Sequence, residues 1–172
     1  MPIYAIEDRR PTIDPTAFIH PDAVIIGSVT IGREASIWPG AVLRGDSGSI
    51  VVGAQSSVQD GTIVHCTSTL DTVIGERCVI GHNAHLEGCT ILDDSLVGSG
   101  ATVLHRAVVG PGSFVGACAL VGNDKVVPSG ARALGVPAVI TLDAADLDQI
   151  THAAQIYVGN AHRYAAGLKR LD

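Results

Sequence analysis

The stretch Ile91-Leu-Asp-Asp-Ser-Leu-Val97-Gly-Ser-Gly-Ala-Thr-Val103 places an aliphatic residue at every sixth position, and the period continues to Val127. An interval of six does not match the turn of an α-helix, which has about 3.6 residues. Six is an even number, however, so strand alternation turns all these aliphatic side chains toward one side. Each hexad is therefore predicted to be one short strand followed by a corner.

A small residue follows most of these aliphatic residues by four positions, as Ser95 and Ala101 do. A small side chain fits inside the tight turn between two strands. The same template continues upstream with the aliphatic residues Val52, Val58, Val64, Ile74 and Ile80. Three strands and three corners close a coil of about 18 residues, and stacked coils enclose the aliphatic side chains. The sequence thus predicts a mainly β protein, a parallel β-helix of hexapeptide repeats.

Three departures from the period locate irregular coils. Residues 45–50 extend one hexad and residues 66–73 interrupt another, and both stretches carry Ser, Gly, Thr or Asp, which favour loops. Residues 86–90 make a hexad that is one residue short. We therefore expect two loops on the solenoid and one shortened coil.

The repeat ends at Pro137, and apolar residues then follow at spacings of three and four from Leu147 to Leu171. This spacing predicts an α-helix with one apolar face, which packs on the solenoid rather than forming an independent coiled coil. The predicted division is a β-helix domain of residues 1–136, followed by a C-terminal linker and α-helix in residues 137–172.

The predicted helix carries its own end signals. Asp143 is expected to cap its start, and Lys169 and Arg170 are expected to lie in its last turn, where cations favour the helix dipole. Tyr157 and Tyr164 fall on the apolar face, so we expect them to pack against the solenoid.

Composition excludes several classes of function. The chain has 17 acidic and 11 basic residues, a formal charge of −6, and this charge does not favour binding to nucleic acid. No stretch approaches the run of about 18 apolar residues that spans a membrane, and the N-terminus has no apolar signal segment. We expect a cytoplasmic protein without a membrane span, whose four unpaired cysteines are reduced thiols.

The repeat also aligns residues that are far apart in sequence. If the two loops are excluded, the aliphatic residues of successive coils fall on one face, as Leu43, Val64, Leu86 and Val103 do. Each is followed by a residue that points outward. The sequence therefore predicts one exposed column that contains Arg44, His65 and Glu87. His82, at the preceding corner, is expected to project toward an adjacent subunit.

The motifs Arg44-Gly-Asp46, Gln59-Asp60, Val64-His65 and Ile80-Gly-His82 resemble those of γ-class carbonic anhydrases over about residues 8–165. The resemblance implies a left-handed β-helix and a homotrimer that binds Zn²⁺ or Fe²⁺ at each subunit interface through three histidines. It also implies a lyase activity, in which a metal-bound hydroxide hydrates carbon dioxide to bicarbonate.

By this resemblance, His65 and His82 match the first two histidines of the metal motif. At the third position, five residues after His82, the chain has Glu87, and His85 stands two residues earlier with an outward parity. Zinc binds two histidines plus one glutamate in some catalytic sites, so the change is compatible with a metal. We expect a site of His65 and His82 that is completed by Glu87 or His85.

The resemblance also implies catalytic and supporting roles. Gln59 would orient the hydroxide through an amide that can both donate and accept a hydrogen bond. Arg44 and Asp46 resemble the ion pair between subunits, and Asp60 resembles a buried acid behind the ligands. The family's proton-shuttle glutamates are replaced here, one by Ser47 and another by a plain loop.

The other histidines are expected to be ordinary solvated residues: His20, His105, His152 and His162. Two alternative functions stay open at this point. One is an acyltransferase that uses a histidine as general base, since hexapeptide-repeat solenoids also carry acyl-coenzyme A chemistry. The other is a non-catalytic scaffold that retains a relict metal site.

Overall fold

The structure, a computed structural model, describes residues 2–172 and contains twenty strands and one helix. Most strands have two or three residues, as the hexad predicts. Their bounds are β1 Ile3–Tyr4, β2 Thr12–Ile13, β3 Phe18–Ile19, β4 Val24–Ile31, β5 Ser36–Ile37, β6 Val42–Val52, β7 Ser57–Val58, β8 Ile63–His65, β9 Thr72–Ile74, β10 Val79–Ile80, β11 His85–Glu87, β12 Thr90–Ile91, β13 Leu96–Val97, β14 Thr102–Val103, β15 Val108–Val109, β16 Phe114–Val115, β17 Leu120–Val121, β18 Val126–Val127, β19 Arg132–Leu134 and β20 Val139–Thr141.

The strands stack into a parallel β-helix, so the predicted fold is confirmed. One face is an eight-stranded sheet in the order β20-β19-β16-β13-β10-β7-β5-β3. The other faces join in a twelve-stranded sheet, because the long strand β6 pairs with β8 through its first residues and with β9 through its last. Strand β20, which the sequence did not predict, folds back antiparallel on β19.

Strand register explains the regular and irregular coils. Val97 pairs with Val115 in a regular coil, 18 residues further along the chain. Ile80 pairs with Val97 only 17 residues away, because the hexad at residues 86–90 is short. Val64 pairs with Leu86, a separation of 22 residues, because residues 66–71 loop out between them. The shortened coil is therefore confirmed, and so is the second loop, which covers residues 66–71 because β9 already begins at Thr72. The loop predicted at residues 45–50 was wrong, because these residues lie within β6, where the extra residues shift the register of its pairing with β4 between Gly27 and Val29.

The predicted aliphatic residues fill the interior of the prism. Leu43, Val64, Leu86 and Val103 have no solvent exposure, and the small corner residues Ser56, Ser95 and Ala101 are also buried. The corner hydroxyls bond to the next coil: Ser95 Oγ donates to the carbonyl of Gly110 at 2.8 Å. Where the corner residue carries a hydroxyl, its side chain satisfies a backbone group of the neighbouring coil.

Helix α1 runs from Leu147 to Gly167 and lies on the face that contains β3, β5, β7 and β10. Ile150, Ala154 and Ala161 are its buried residues. Tyr157 and Tyr164 pack against Trp38, with ring centroids 5.8 and 5.1 Å apart, as expected. No helix among residues 2–172 is both long and apolar enough to cross a membrane.

Both predicted helix ends were wrong. The N-cap is Asp146, whose carboxylate accepts the backbone N–H of Gln149 at 3.0 Å, whereas Asp143 lies in a turn with φ of +50°. The helix stops at Gly167, since the next residue is already extended. Lys169 and Arg170 therefore lie beyond the last turn.

Candidate metal site

Strand register builds the predicted column. On three neighbouring strands, Arg44 of β6 lies opposite His65 of β8, and His65 lies opposite Glu87 of β11. The inward neighbours Leu43, Val64 and Leu86 pair in the same register. Because strand alternation points the next residue of each strand outward, the three functional side chains share one exposed face.

The ring of His65 lies between two carboxylates. Its Nδ1 is 2.9 Å from Oε1 of Glu87, and its Nε2 is 3.1 Å from Oδ1 of Asp46. Asp46 also accepts a hydrogen bond from Arg44. The ion pair expected of Arg44 and Asp46 thus forms within one chain. It extends the column into a continuous network from Arg44 to Glu87.

Both carboxylates of this network are anionic at neutral pH. Burial tends to raise the pKa of Asp46, but hydrogen bonds from Arg44 and His65 outweigh burial and hold that pKa below its ordinary value. Burial likewise opposes ionisation of Glu87, yet the hydrogen bond from His65 and the nearby imidazoles lower its pKa. The face therefore carries a carboxylate on each side of the His65 ring, and one of the two, Asp46, is paired with Arg44.

The 66–71 loop packs on the irregular part of β6 that follows Asp46. The backbone N–H of Ser49 donates to the Asp71 carboxylate at 2.7 Å, and the N–H of Gly48 lies 3.3 Å from Sγ of Cys66. Thus the loop after His65 packs on the segment of β6 that carries Asp46. Departures from the repeat, rather than the repeat itself, assemble this end of the network.

The second oxygen of Glu87 faces two more histidines. Nε2 of His85 is 3.5 Å from Oε2 of Glu87, and Nε2 of His105 is 3.8 Å from the same atom. The expectation that His105 is merely solvated was wrong, because its Nε2 is buried and has no hydrogen-bond partner within residues 2–172. His85 pairs in register with Ile63, not with His65, so Glu87 is the closer candidate for a shared ligand.

A second group of site residues occupies the corner between β10 and β11 and the corner below it. Nδ1 of His82 is 2.8 Å from Oδ2 of Asp60. Gln59, the residue before Asp60, is buried. The expected burial of Asp60 was wrong for the single chain, since 48% of its side chain is exposed. A half-exposed carboxylate at this corner orients the imidazole ring instead of filling the interior.

The predicted site residues thus form two groups. One group shares direct contacts on the exposed column: Arg44, Asp46, His65, His85 and Glu87. The other lies at the corners: Gln59, Asp60 and His82. In the part of the chain that the structure describes, no three His, Cys, Asp or Glu side chains surround a common metal position.

The remaining histidines differ in their exposure to solvent. His152 and His162 are exposed, as predicted. His20 is not solvated, since only 12% of its side chain is exposed and its Nδ1 accepts the backbone N–H of Asp22. The ring of Phe18, two residues earlier in the same coil, lies 6.4 Å from the ring of His20.

A parallel β-helix built from hexads defines the class of hexapeptide-repeat proteins. The model of the bacterial transferase hexapeptide family (six repeats) matches residues 10–45, 71–105 and 88–123, more than half of the chain. The chain therefore belongs to this family.

Its relatives confirm the predicted resemblance to γ-carbonic anhydrases. The mitochondrial γ-carbonic anhydrase 2 of Arabidopsis thaliana is 39% identical over 167 residues, which are 92% of this chain and 60% of the relative. The carnitine operon protein CaiE of Escherichia coli O157:H7 is 49% identical over 98 residues, 57% of this chain and 50% of CaiE. The chain thus spans about half to three fifths of these curated relatives.

A solved structure shows the same fold over nearly the whole chain. It is a hexapeptide transferase family protein from Anaplasma phagocytophilum, with a TM-score of 0.91 and 38% sequence identity. The match covers 95% of this chain and 98% of that one.

Proposed function

We propose that the chain is a γ-carbonic-anhydrase-like enzyme, which hydrates carbon dioxide to bicarbonate at metal sites shared between the subunits of a homotrimer. The observation that carries this proposal is the direct contact of His65 with Glu87 on the exposed column. An imidazole and a carboxylate, two groups of types that bind metals, thus lie together at positions where the resemblance to γ-carbonic anhydrases implies ligands.

The proposed ligands are His65 and Glu87 of one subunit and His82 of its neighbour. Two imidazoles and one carboxylate are a donor set that catalytic zinc sites use, and they leave a coordination position open. The corner supports this choice, because Asp60 holds Nδ1 of His82 and so leaves Nε2 free to ligate. At His65, one of the two carboxylate contacts must give way when the ring binds Zn²⁺ or Fe²⁺.

A homotrimer is supported by exposed aliphatic side chains beside the charged column. Val42 and Ile63 are register partners that point outward beside the column, and 39% of Ile63 is exposed. Outward aliphatic residues around a charged network are typical of a surface that a partner covers. A contact between two different surfaces of identical subunits closes into a ring, and three subunits give three equivalent sites.

The chain's own residues would prepare the site for hydration. A bound Zn²⁺ or Fe²⁺ would lower the pKa of water toward neutrality and supply the nucleophile. Gln59 carries an amide that can donate to one oxygen and accept from another, which suits the orientation of water next to carbon dioxide. Asp46, tied to Arg44, fixes the ring of His65 from the side opposite Glu87.

Metal content and hydration rate test the proposal together. Protein purified without chelator is loaded anaerobically with Zn²⁺ or Fe²⁺, and carbon dioxide hydration is followed by stopped flow. We expect one metal ion per chain and hydration above the buffer rate. His65→Ala should lose both, whereas His152→Ala, a change at an exposed helix residue, should keep both. Full metal loading without hydration would contradict the proposed reaction.

The alternative acyltransferase has a separate readout. The solved relative from Anaplasma phagocytophilum is described as a hexapeptide transferase family protein, so acyl transfer is the second candidate function. Binding of acetyl-coenzyme A to the metal-free chain, measured by calorimetry, would favour that function. We expect no such binding.

A further inference from the structure

We propose that Thr72 is a positioning residue, whose buried hydroxyl holds the backbone of His65 and the backbone next to Glu87 at the spacing that a shared metal requires. This inference rests on the proposed function, because it concerns the same ligands. The hydroxyl of Thr72 contacts backbone atoms and not the ligand side chains. It acts through the two strands that carry the ligands.

The hydroxyl of Thr72 makes two backbone hydrogen bonds. Its Oγ1 donates to the carbonyl of His65 at 2.5 Å and accepts the N–H of Gly88 at 2.8 Å. Thr72 has no solvent exposure. One buried oxygen atom therefore links the residue that bears the imidazole to the residue that follows Glu87.

The link lies where the parallel ladder stops. Strand β8 ends at His65 and β11 ends at Glu87, and beyond them the chain enters the 66–71 loop and a turn at Gly88 with φ of +60°. Without a rung of the sheet there, the carbonyl and the N–H need another partner, because a buried unpaired backbone group is costly. Thr72 supplies it from the first residue of β9.

The same loop closes the turn after Glu87 from the other side. A Cβ atom at Gly88 would lie only 3.0 Å from Cβ of Leu70, so the turn has no room for a larger residue. The loop residues 66–71 and Thr72 together fix where the backbone leaves β11. Since Glu87 is the last residue of β11, the position of this backbone also determines where its carboxylate lies.

Ser56 provides a matched comparison elsewhere in the solenoid. Its buried Oγ donates to the carbonyl of Gly75 at 2.6 Å and accepts the N–H of Cys78 at 2.8 Å. It therefore makes the same pair of backbone hydrogen bonds between coils. None of the residues that it joins belongs to the candidate metal site, so its loss should affect stability without affecting the ligands.

The test compares Thr72→Val, Thr72→Ser and Ser56→Ala by competition between the protein and a chromophoric chelator for Zn²⁺. We expect Thr72→Val to weaken Zn²⁺ affinity about tenfold or more, the size of effect seen when groups that orient ligands are removed. Thr72→Ser should restore the affinity to within about threefold. Ser56→Ala should lower the thermal midpoint of unfolding as Thr72→Val does, but keep wild-type affinity. Wild-type affinity in Thr72→Val, or an equal loss in Ser56→Ala, would overturn the assignment.

A metal-free measurement separates this inference from the proposed function. If the wild-type chain binds no Zn²⁺, the proposed function fails, but the ¹⁵N resonance of the His65 ring still reports its hydrogen bond to Glu87. We expect Thr72→Val to shift that resonance and Ser56→Ala to leave it unchanged. An unchanged resonance in Thr72→Val would reject the positioning role. Thr72→Cys, whose thiol forms only weak hydrogen bonds, makes the same comparison if the valine variant does not fold.

Discussion

Nδ1 of His65 lies 2.9 Å from Oε1 of Glu87, and the two residues are register partners on strands β8 and β11. They stand 22 residues apart in sequence because the 66–71 loop lies between them. This short contact joins an imidazole and a carboxylate on an outward face, two of the three ligands in the proposed metal site. It also means that Glu87 and His65 should respond as a unit to substitution.

Glu87→Gln should reduce metal content strongly, because a neutral amide oxygen is a poorer ligand than a carboxylate. His85→Ala should keep its metal, because His85 pairs with Ile63 and not with His65. Metal per chain, measured by mass spectrometry after purification without chelator, distinguishes the two. Loss only in His85→Ala would make His85 the third ligand, and retention in both variants would contradict the three-ligand site.

The β-helix could be predicted because every element repeats one local rule. The pairing of Leu86 with Val64 and Val103 follows from counting hexads once the loops are excluded. The outward column follows from the same count, so the sequence alone predicts that His65 and Glu87 are neighbours on one face.

Other contacts depend on distances that the repeat does not encode. The burial of His105 Nε2 depends on how its side chain lies over the turn at Gly88, where a Cβ would come within 3.2 Å of the imidazole. The half-exposed position of Asp60 depends on the corner geometry around His82. Strand parity gives the side of a residue but not the depth to which neighbours cover it.

Asp146→Ala should lower the free energy of unfolding by about 1 kcal/mol, because its carboxylate accepts the otherwise unpaired N–H of Gln149. Asp143→Asn should change it by less than about 0.5 kcal/mol, because Asp143 is an exposed turn residue outside the helix and asparagine tolerates its φ of +50°. Urea unfolding at one fixed protein concentration gives both values. Equal losses would contradict the observed N-cap.

Cys78 and Cys89 should make the fold less stable in alkali. Burial raises the pKa of each thiol to about 12, above the ordinary value of 9.0. The unfolded chain therefore releases these protons first, so the stabilisation is complete below about pH 9 and is lost as the pH rises toward 12. By pH 10 we expect a loss of about 1 kcal/mol for each thiol.

The check is urea unfolding at pH 8, 9 and 10. Cys78→Ala and Cys89→Ala should each show a smaller decline with pH than the wild type. Cys118→Ala, a change at an exposed thiol, should keep the wild-type decline. A parallel decline in all three variants would show that other groups cause it.

Gly27→Ala should destabilise the N-terminal coils by about 2 to 4 kcal/mol. Gly27 has φ of +77°, and a Cβ atom there would lie 2.2 Å from the backbone oxygen of Gly45. Gly122→Ala is the control, because no atom lies within 4 Å of its Cβ position. Thermal unfolding of both variants checks the difference, and equal midpoints would contradict the close approach of β4 and β6.

Mixed trimers should restore metal binding that neither parent retains. His65→Ala and His82→Ala each remove one ligand from every site, so each homotrimer should bind no metal tightly. If His65 and His82 come from different subunits, a site is intact wherever a His82→Ala subunit supplies His65 and its neighbour supplies His82. Random mixing of equal amounts gives roughly one intact site in four. As a control, mixing His65→Ala with Glu87→Ala should restore none, because those two ligands belong to the same subunit. Metal content of the refolded mixtures decides: no recovery in the first mixture would contradict a site shared between subunits.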